Sequence, residues 1–465
     1  MAALAPPHVP GEVLDILRRL WSAGHAAYAV GGGVRDALLG RTETDWDVAT
    51  DARPERLLEL FPGSSYTNRF GTVGIGAVEA TTFRRDHRYG DHRRPDEVTF
   101  THSLTEDLAR RDFTVNAIAW GRQGDSVADR PVDPDWVDPH DGLGDLRARL
   151  LRAVGDPTAR FDEDALRLLR AARLAAQLDF EIEPGTLAAM RVTAPLVRWV
   201  SAERVGAELR RMLAADPPSR GLRILAQTDL LEPLLPELAL QRGVAQDKLP
   251  GHDVWLHSLA TLDAAARLDP GNERLRLAAL LHDVGKPTTQ ADGRFIGHDV
   301  EGARLAERLL SRLAFPRPEV GGVAWLVRQH MFRYQPSWSA AAVRRFIRRV
   351  GAAHIDDLLK LRQADNEGSG LDADADRTSE LRRRIEGELA AGVPLGLGQL
   401  AVDGDDLTRE LGLPPGPIIG RLLERLLESV VSDPARNTRE LLLTDARVWA
   451  ADMKAAAEVK GEAER

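Results

Sequence analysis

The chain contains no cysteine. That absence removes disulfides, zinc–thiolate sites and cysteine nucleophiles together, so any metal must be held by histidines and carboxylates. No stretch approaches the roughly 18 consecutive apolar residues of a membrane-spanning helix. The opening MAALAPPHVPGEV has neither a basic n-region nor an apolar h-region, so no signal peptide is expected and a cytoplasmic location follows. No internal repeat is evident. A net charge of −9 argues against blanket nucleic-acid binding, yet arginine clusters locally. Residues 316–351 hold seven Arg against one Glu, a candidate surface for an RNA backbone.

What is present is an ordinary soluble composition, 43% hydrophobic and 29% charged, spread over 465 residues. That length exceeds one compact core and predicts about two to four domains. From residue 11 to about 122 the pattern is mixed. An amphipathic run with Leu14, Leu17, Leu20 and Trp21 is followed by strand-like AAYAV, a helical VRDALLG, strand-like DWDVAT and a helix near 54–61. TVGIGAVEATTF, β-branched and punctuated by Gly, reads as a hairpin. After about 150 strands give way to Leu/Ala/Arg-rich helical patterns, broken at loops such as ADPPSRG and LPGHD, and KAAAEVKGEAER reads as a frayed helical tail.

The chemistry concentrates first in AVGGGVRDALLGRTETDWDVAT. In a strand, residues two apart share a face, so Asp45 and Asp47 are expected side by side while Trp46 and Val48 face the core. Adjacent carboxylates repel unless a cation lies between them, and Mg²⁺ suits one or two carboxylates plus substrate phosphates. Gly31 to Gly33 end a strand and open a helix, whose free N–H groups attract phosphate. Together the two features read as a triphosphate site.

VGGGVRDALLGR followed by TDWDVAT resembles the nucleotidyltransferase superfamily, in the branch of tRNA nucleotidyltransferases (CCA-adding enzymes) and bacterial poly(A) polymerases, class II. Gly33 departs from the family pattern, where Ala or Cys is usual. The resemblance implies an α+β multidomain chain: a mixed-sheet, polymerase β-like head over 1–150, a helical neck over 151–215 that recognises the base, an HD phosphohydrolase domain over 216–370 and a helical tail over 371–465. It makes Asp45 and Asp47 the catalytic ligands of two Mg²⁺ ions for an in-line displacement. Glu79 in VEATTF is a third carboxylate candidate, with a structural role equally open.

The likeness continues. LTEDLARRDFTVNAIAW matches the motif whose Arg110, Arg111, Asp112 and Asn116 contact ribose and phosphates, alongside Gly32, Gly33 and Arg35. FDEDALRLLRAARLAAQLDF matches E-D-x-x-R, with Arg170 and Arg173 further along. Asp164 and Arg167, three apart, are expected to share a helix face and to read the pairing edge of C and A. SAERVGAEL assigns Arg204 and Glu208 supporting roles. FRRDHRYGDHRRPDEVTF reads as an exposed mobile loop; in the family a loop here helps the switch from C to A addition.

A second constellation, His257, LHDVGKP with His282 and Asp283, then His298, His330 and Asp365, resembles the HD-domain metal set. By that resemblance His257, His282, Asp283 and Asp365 bind one divalent ion, and His298 and His330 extend the site to a second ion or a substrate phosphate. Mixed N/O ligands suit Mn²⁺, Ni²⁺, Fe²⁺ or Mg²⁺, and Lys286 steadies a phosphate. The expected partners are tRNA, CTP and ATP, with no membrane and no obligate protein partner. A-addition alone, poly(A) synthesis and a non-catalytic tRNA-binding role stay open as alternatives.

Overall fold

The computed structural model describes residues 5–42, 45–68, 70–87, 97–125, 133–246, 250–370 and 375–463. The chain divides into two compact units, Met1–Arg242 with Arg308–Val320, and Gly243–Glu307 with Gly321–Arg465.

The first unit is built on a mixed sheet of seven strands in the order β3-β4-β5-β2-β1-β8-β9. These are β1 Ala27–Val30, β2 Asp47–Thr50, β3 Ser65–Asn68, β4 Thr72–Ile75, β5 Val78–Thr82, β8 Ala119–Arg122 and β9 Asp135–Val137, with a separate antiparallel ribbon of β6 Arg84–His87 and β7 Glu97–Phe100. Every residue of β1 is buried, as a strand with neighbours on both edges and cover on its faces requires. The helix Gly11–Ser22 buries Val13, Ile16, Leu17, Leu20 and Trp21, the 3–4 spacing of one helical stripe. The Trp21 indole donates to the Ala27 carbonyl at 2.9 Å, which fixes this helix to the start of β1.

The expected α+β head is borne out, and TVGIGAVEATTF forms the β4–β5 hairpin with Gly76 in the left-handed region at φ 61°. Three local expectations are corrected. Asp45 and Trp46 precede β2 rather than lying in it, so only Asp47 is a strand residue. The stretch expected to be a mobile loop has strand flanks, β6 and β7, while residues 88–96 lie outside the described residues. Strands also persist past 150, in a two-residue parallel pairing of Leu150–Leu151 with Glu181–Ile182.

Helices then dominate. Leu166–Leu178 packs along Ala202–Leu213, and its buried Leu and Ala face carries Arg167, Arg170 and Arg173 on the opposite edge. In the second unit Val254–Leu268 packs along Ala352–Gly368, and a Cβ on Gly368 would lie 2.5 Å from Thr261 Oγ1. The tail helices Gly404–Leu411, Pro417–Ser432 and Arg439–Ala463 bury their own core around Leu407, Leu422, Leu426, Val430 and Leu442.

The arginine-rich stretch is not a bare cationic face. Arg344 is buried, donating to Val431 O at 2.6 Å and Glu388 at 2.9 Å. Arg345 pairs with Glu428, Arg348 with Glu424, and Arg328 with Asp299. Four of its arginines therefore tie helices together, which weakens the reading of it as a backbone-binding surface. Among the described residues no helix is long and apolar enough to cross a membrane.

Candidate functional site: a carboxylate and arginine cleft and a histidine centre

Register places the first site. Val30, the last residue of β1, pairs with Asp47, and Asp47 pairs in turn with Glu79 on the parallel strand β5. The chain leaving β1 therefore passes directly over Asp47. Gly31 has φ 80°, and a Cβ there would lie 2.9 Å from Asp47 Oδ2 and 3.2 Å from Arg111 Nη1. Only glycine combines that backbone conformation with that close approach. Gly33 is explained differently: a Cβ would sit 2.7 Å from the Trp46 ring and 2.9 Å from the Asp45 carbonyl. The usual Ala of the family pattern is sterically blocked here by Trp46, so the departure at Gly33 and this bulky neighbour belong together.

A cavity of about 340 Å³ opens at this point. Asp45, Asp47, Gly31, Gly32, Arg35, Asp112 and Asn116 line it, with Arg111, Arg170 and Arg173. The Asp47 carboxyl is raised to about 6, first by burial and then by the charges of Asp45 and Glu79, against the opposing pull of Arg111 and Arg170. A partly buried acid crowded by two other carboxylates is a donor set that fits a divalent ion.

The arginines are held in place by bonds of their own. Arg35 donates to Asn116 Oδ1 at 2.6 Å and to both Asp36 oxygens at 2.8 and 2.9 Å. Arg170 places two donors on Asp112 Oδ2 at 2.9 and 2.7 Å, and Asn116 Nδ2 donates to Asp112 Oδ1 at 3.0 Å. Burial alone would raise the Asp112 carboxyl, but Arg170, Asn116 and Arg167 outweigh it and hold it well below the usual carboxylate range. Arg173 is anchored on Glu208 at 2.6 Å, which gives Glu208 its expected supporting place.

Two expected positions differ. Arg110 does not line the cavity: its guanidinium is bound to buried Asp107 at 2.7 and 3.0 Å and lies 3.8 Å from Asp86. Asp164 and Arg167 do not share a helix face. Asp164 has φ −141° and ψ 104° and sits in the break between the helices Pro157–Glu163 and Leu166–Leu178. Its carboxylate accepts from Leu166 N at 3.0 Å and from Arg204 at 2.9 Å. Arg167 donates instead to Glu163 at 2.5 Å and to the Arg110 carbonyl at 3.0 Å. The spacing rule failed because Asp164 caps a new helix rather than continuing the old one. Two lining residues escaped the sequence reading, Leu174 and Arg211, and the partner of Arg211 is Glu208 at 3.7 Å. The signal for Arg211 was there in AELRRML, where Glu208 and Arg211 stand three apart on one helix.

The second site gathers all six expected residues. His257 Nε2 lies 3.0 Å from His282 Nε2 and 3.1 Å from Asp365 Oδ1. His298 Nε2 lies 3.3 Å from His330 Nε2 and 3.4 Å from Asp283 Oδ1. Two triads result, His257–His282–Asp365 and Asp283–His298–His330, all buried. Asp283 joins them, its Oδ2 being 3.1 Å from His282. The Nδ1 atoms of His257, His282, His298 and His330 each face a backbone carbonyl, of Gly368, Ala279, Phe295 and Val327 respectively. A carbonyl only accepts, so each Nδ1 carries the proton and each Nε2 turns a lone pair inward. Lone pairs facing one another across 3.0 and 3.3 Å demand a cation between them. The donor set therefore fits divalent metal. Burial first, and then the nearby His282, lowers His330 to about 3, which keeps it a neutral ligand. Lys286 is buried against Asp283 at 2.6 Å and Gln246 at 2.8 Å.

The fold and sites thus define a nucleotidyltransferase-type head joined in one chain to a histidine–carboxylate metal domain. The model of the Poly A polymerase head domain matches residues 27–152, that of the probable RNA and SrmB-binding site of polymerase A residues 179–241, and that of the HD domain residues 254–379. The CCA-adding enzyme of Geobacillus stearothermophilus is 33% identical over 92% of this chain and 94% of its own. That of Levilactobacillus brevis is 46% identical over 48% of this chain and 56% of its own. The crystal structure of the Bacillus stearothermophilus CCA-adding enzyme in complex with CTP superposes with a TM-score of 0.71 at 28% identity, covering 98% of this chain and all of that one. Thermotoga maritima CCA-adding enzyme complexed with tRNA shares the fold at a TM-score of 0.59, 20% identity, 95% of this chain and 96% of that one. The chain belongs to the family of CCA-adding enzymes.

Proposed function

We propose that the chain adds the CCA sequence to tRNA 3′ ends from CTP and ATP with release of pyrophosphate, and that its HD centre hydrolyses a phosphoester. The observation that carries the transferase reading is Asp47, a partly buried carboxyl beside Asp45 and Glu79 in a cleft walled by arginines. Asp45 and Asp47 would hold Mg²⁺, which activates the attacking hydroxyl and steadies the leaving pyrophosphate when bound. Arg111, Arg170, Arg173 and Arg211 supply positive charge for the triphosphate, and Asn116 with Arg35 meets the sugar side. Asp164, which Arg204 holds by a bond of 2.9 Å and which lies outside the residues lining the cavity, would accept from the exocyclic amine that C and A carry, while U and G present a carbonyl there. Full-length relatives named CCA-adding enzymes do not favour the poly(A) polymerase reading.

The HD centre would hold one ion in each triad, Mn²⁺, Ni²⁺, Fe²⁺ or Mg²⁺, and such ions lower the pKa of a bound water for attack on phosphorus. The chain's own part is to keep four Nε2 lone pairs and two carboxylates, all on buried side chains, aimed inward.

The test offers three transcripts, tRNA lacking CCA, tRNA ending in CC, and an unrelated RNA, each with CTP, ATP or both. Three-nucleotide addition to the first, dependent on Mg²⁺ and reduced to background by Asp47→Ala, is expected. Addition of A alone, or long A tails on any RNA, overturns the assignment.

A further inference from the structure

The second unit contains a cavity of about 500 Å³ that no part of the reading above uses. Its size is that of a small-ligand pocket. It begins where the HD centre ends. Arg362 lines it, and the same guanidinium lies 3.2 Å from Asp365 Oδ2 and donates to the backbone carbonyls of His330 and Phe332. Asn366, next in sequence to the metal-ligand candidate Asp365, lines it too, and Met331 follows His330. One wall of the cavity is thus made from the neighbours of two members of the histidine centre.

The lining is polar and cationic. Arg333, Arg362 and Arg377 contribute three guanidinium groups, Gln335 and Thr378 add uncharged donors, and no carboxylate is among the lining residues described. Arg333 is exposed, and among the described residues it makes no ion pair. Asn366 is 5% exposed, and among the described residues its Nδ2 has no hydrogen-bond partner. A buried amide donor left unsatisfied costs free energy unless a ligand or solvent completes it. Arginine forks beside an orphaned amide donor match the oxygens of an oxyanion, and beside a centre read as acting on phosphoesters that oxyanion is a phosphate.

We infer that this cavity is an anion subsite of the HD centre, which takes a phosphoester carrying a second phosphate: one phosphate at the histidine triads, the other on Arg333, Arg377 and Asn366. This rests on the reading of the centre as a phosphohydrolase. A nucleoside bisphosphate and the phosphorylated end of an oligonucleotide share that chemistry.

The test measures equilibrium binding to the full chain with saturating Mn²⁺ at 4 °C, by titration calorimetry, using inorganic phosphate and slowly hydrolysed phosphorothioate analogues of adenosine 3′-monophosphate, adenosine 3′,5′-bisphosphate and a short 3′-phosphorylated oligonucleotide. The titrations are repeated on Arg111→Gln, so that nucleotide held in the head is separated from nucleotide held here. The bisphosphate is expected to bind roughly tenfold more tightly than the monophosphate, and Arg333→Gln and Arg377→Gln are each expected to remove that advantage. Arg333 is exposed, so its loss leaves the fold intact. Tighter binding of the oligonucleotide than of the bisphosphate assigns the site to nucleic-acid ends, and the reverse assigns it to free nucleotides; either supports the subsite. Equal affinities for mono- and bisphosphate, or an advantage untouched by both variants, overturns it. With divalent ion present, the same variants should raise KM for the bisphosphate and leave kcat on p-nitrophenyl phosphate unchanged. Binding that depends on Arg333 in a chain that hydrolyses no phosphoester with any divalent ion overturns the phosphohydrolase reading while the anion site stands.

Discussion

At the scale of single residues, Asp47 carries the most information. Its carboxyl stays protonated to about pH 6 in the fold, whereas an exposed Asp loses its proton near pH 4. Between those values the folded chain binds more protons than the unfolded one, so this group's contribution to stability is fully present below about pH 4 and is lost as pH rises through about 6. Asp47→Asn should therefore stabilise the metal-free chain at pH 7.5 by about 1–3 kcal/mol while abolishing nucleotide addition. Denaturant titration with and without Mg²⁺ checks this. Mg²⁺ must displace the same proton, so its stabilising effect should weaken below pH 6, and pH-independent Mg²⁺ stabilisation would sink the idea. The pair of aspartates was legible in the sequence because few other uses bring D-x-D behind a glycine turn. Their arrangement was not: whether Asp45 lies in the strand or ahead of it depends on Trp46, whose ring fills the space beside Gly33.

At the scale of elements, the helix Leu166–Leu178 shows how a stripe becomes a site. Arg167, Arg170 and Arg173 recur every three residues on its polar edge, and each is fixed by a different carboxylate: Glu163, Asp112 and Glu208. The stripe was readable from periodicity; the partners were not, because Asp112 and Glu208 come from 58 and 35 residues away. Short-range bonds, by contrast, moved Asp164 off the helix and turned Arg110 onto Asp107, three residues back, while cross-strand pairing drew strands from the stretch expected to be a loop. Arg170→Ala removes the guanidinium that places two donors on Asp112 and leaves it only the more distant charge of Arg167 and the Asn116 amide. We expect a loss of about 2–3 kcal/mol, somewhat under that of a fully buried pair because Arg170 keeps partial exposure. Because the Asp112 carboxyl is held low, this contribution is present above about pH 4 and is lost as pH falls below it. Thermal melts of Arg170→Ala and of Arg170→Ala with Asp112→Asn check it: the second change should restore part of the loss, and a purely additive pair overturns the coupling.

At the scale of the whole molecule, two candidate metal sites occupy two compact units of one chain, and both were legible as ordered motifs before any geometry was known. Histidine order in the sequence named six residues, and the fold brings all six together, since a set of dispersed ligands converges only when helix packing requires it. The sequence could not divide them into two triads, because that division depends on which backbone carbonyl each Nδ1 meets. The two units make separable predictions. His257→Ala or Asp283→Asn should abolish phosphoester hydrolysis and leave addition of CCA near its original rate, whereas Asp47→Ala should do the reverse. Without metal, buried neutral His330 resists protonation, so the unfolded chain takes up the proton first, and stability should fall by about 1.4 kcal/mol per unit as pH drops below about 6.5. Mn²⁺ or Ni²⁺ at about 100 times its dissociation constant should add roughly 2.7 kcal/mol at neutral pH, with the gain fading in acid as protons compete for the same Nε2 atoms. Calorimetric melts of wild type and of the double variant His257→Ala with His330→Ala, which breaks both triads, with and without the ion, decide the matter. A metal-dependent shift that survives both substitutions would place the ion somewhere other than these histidines.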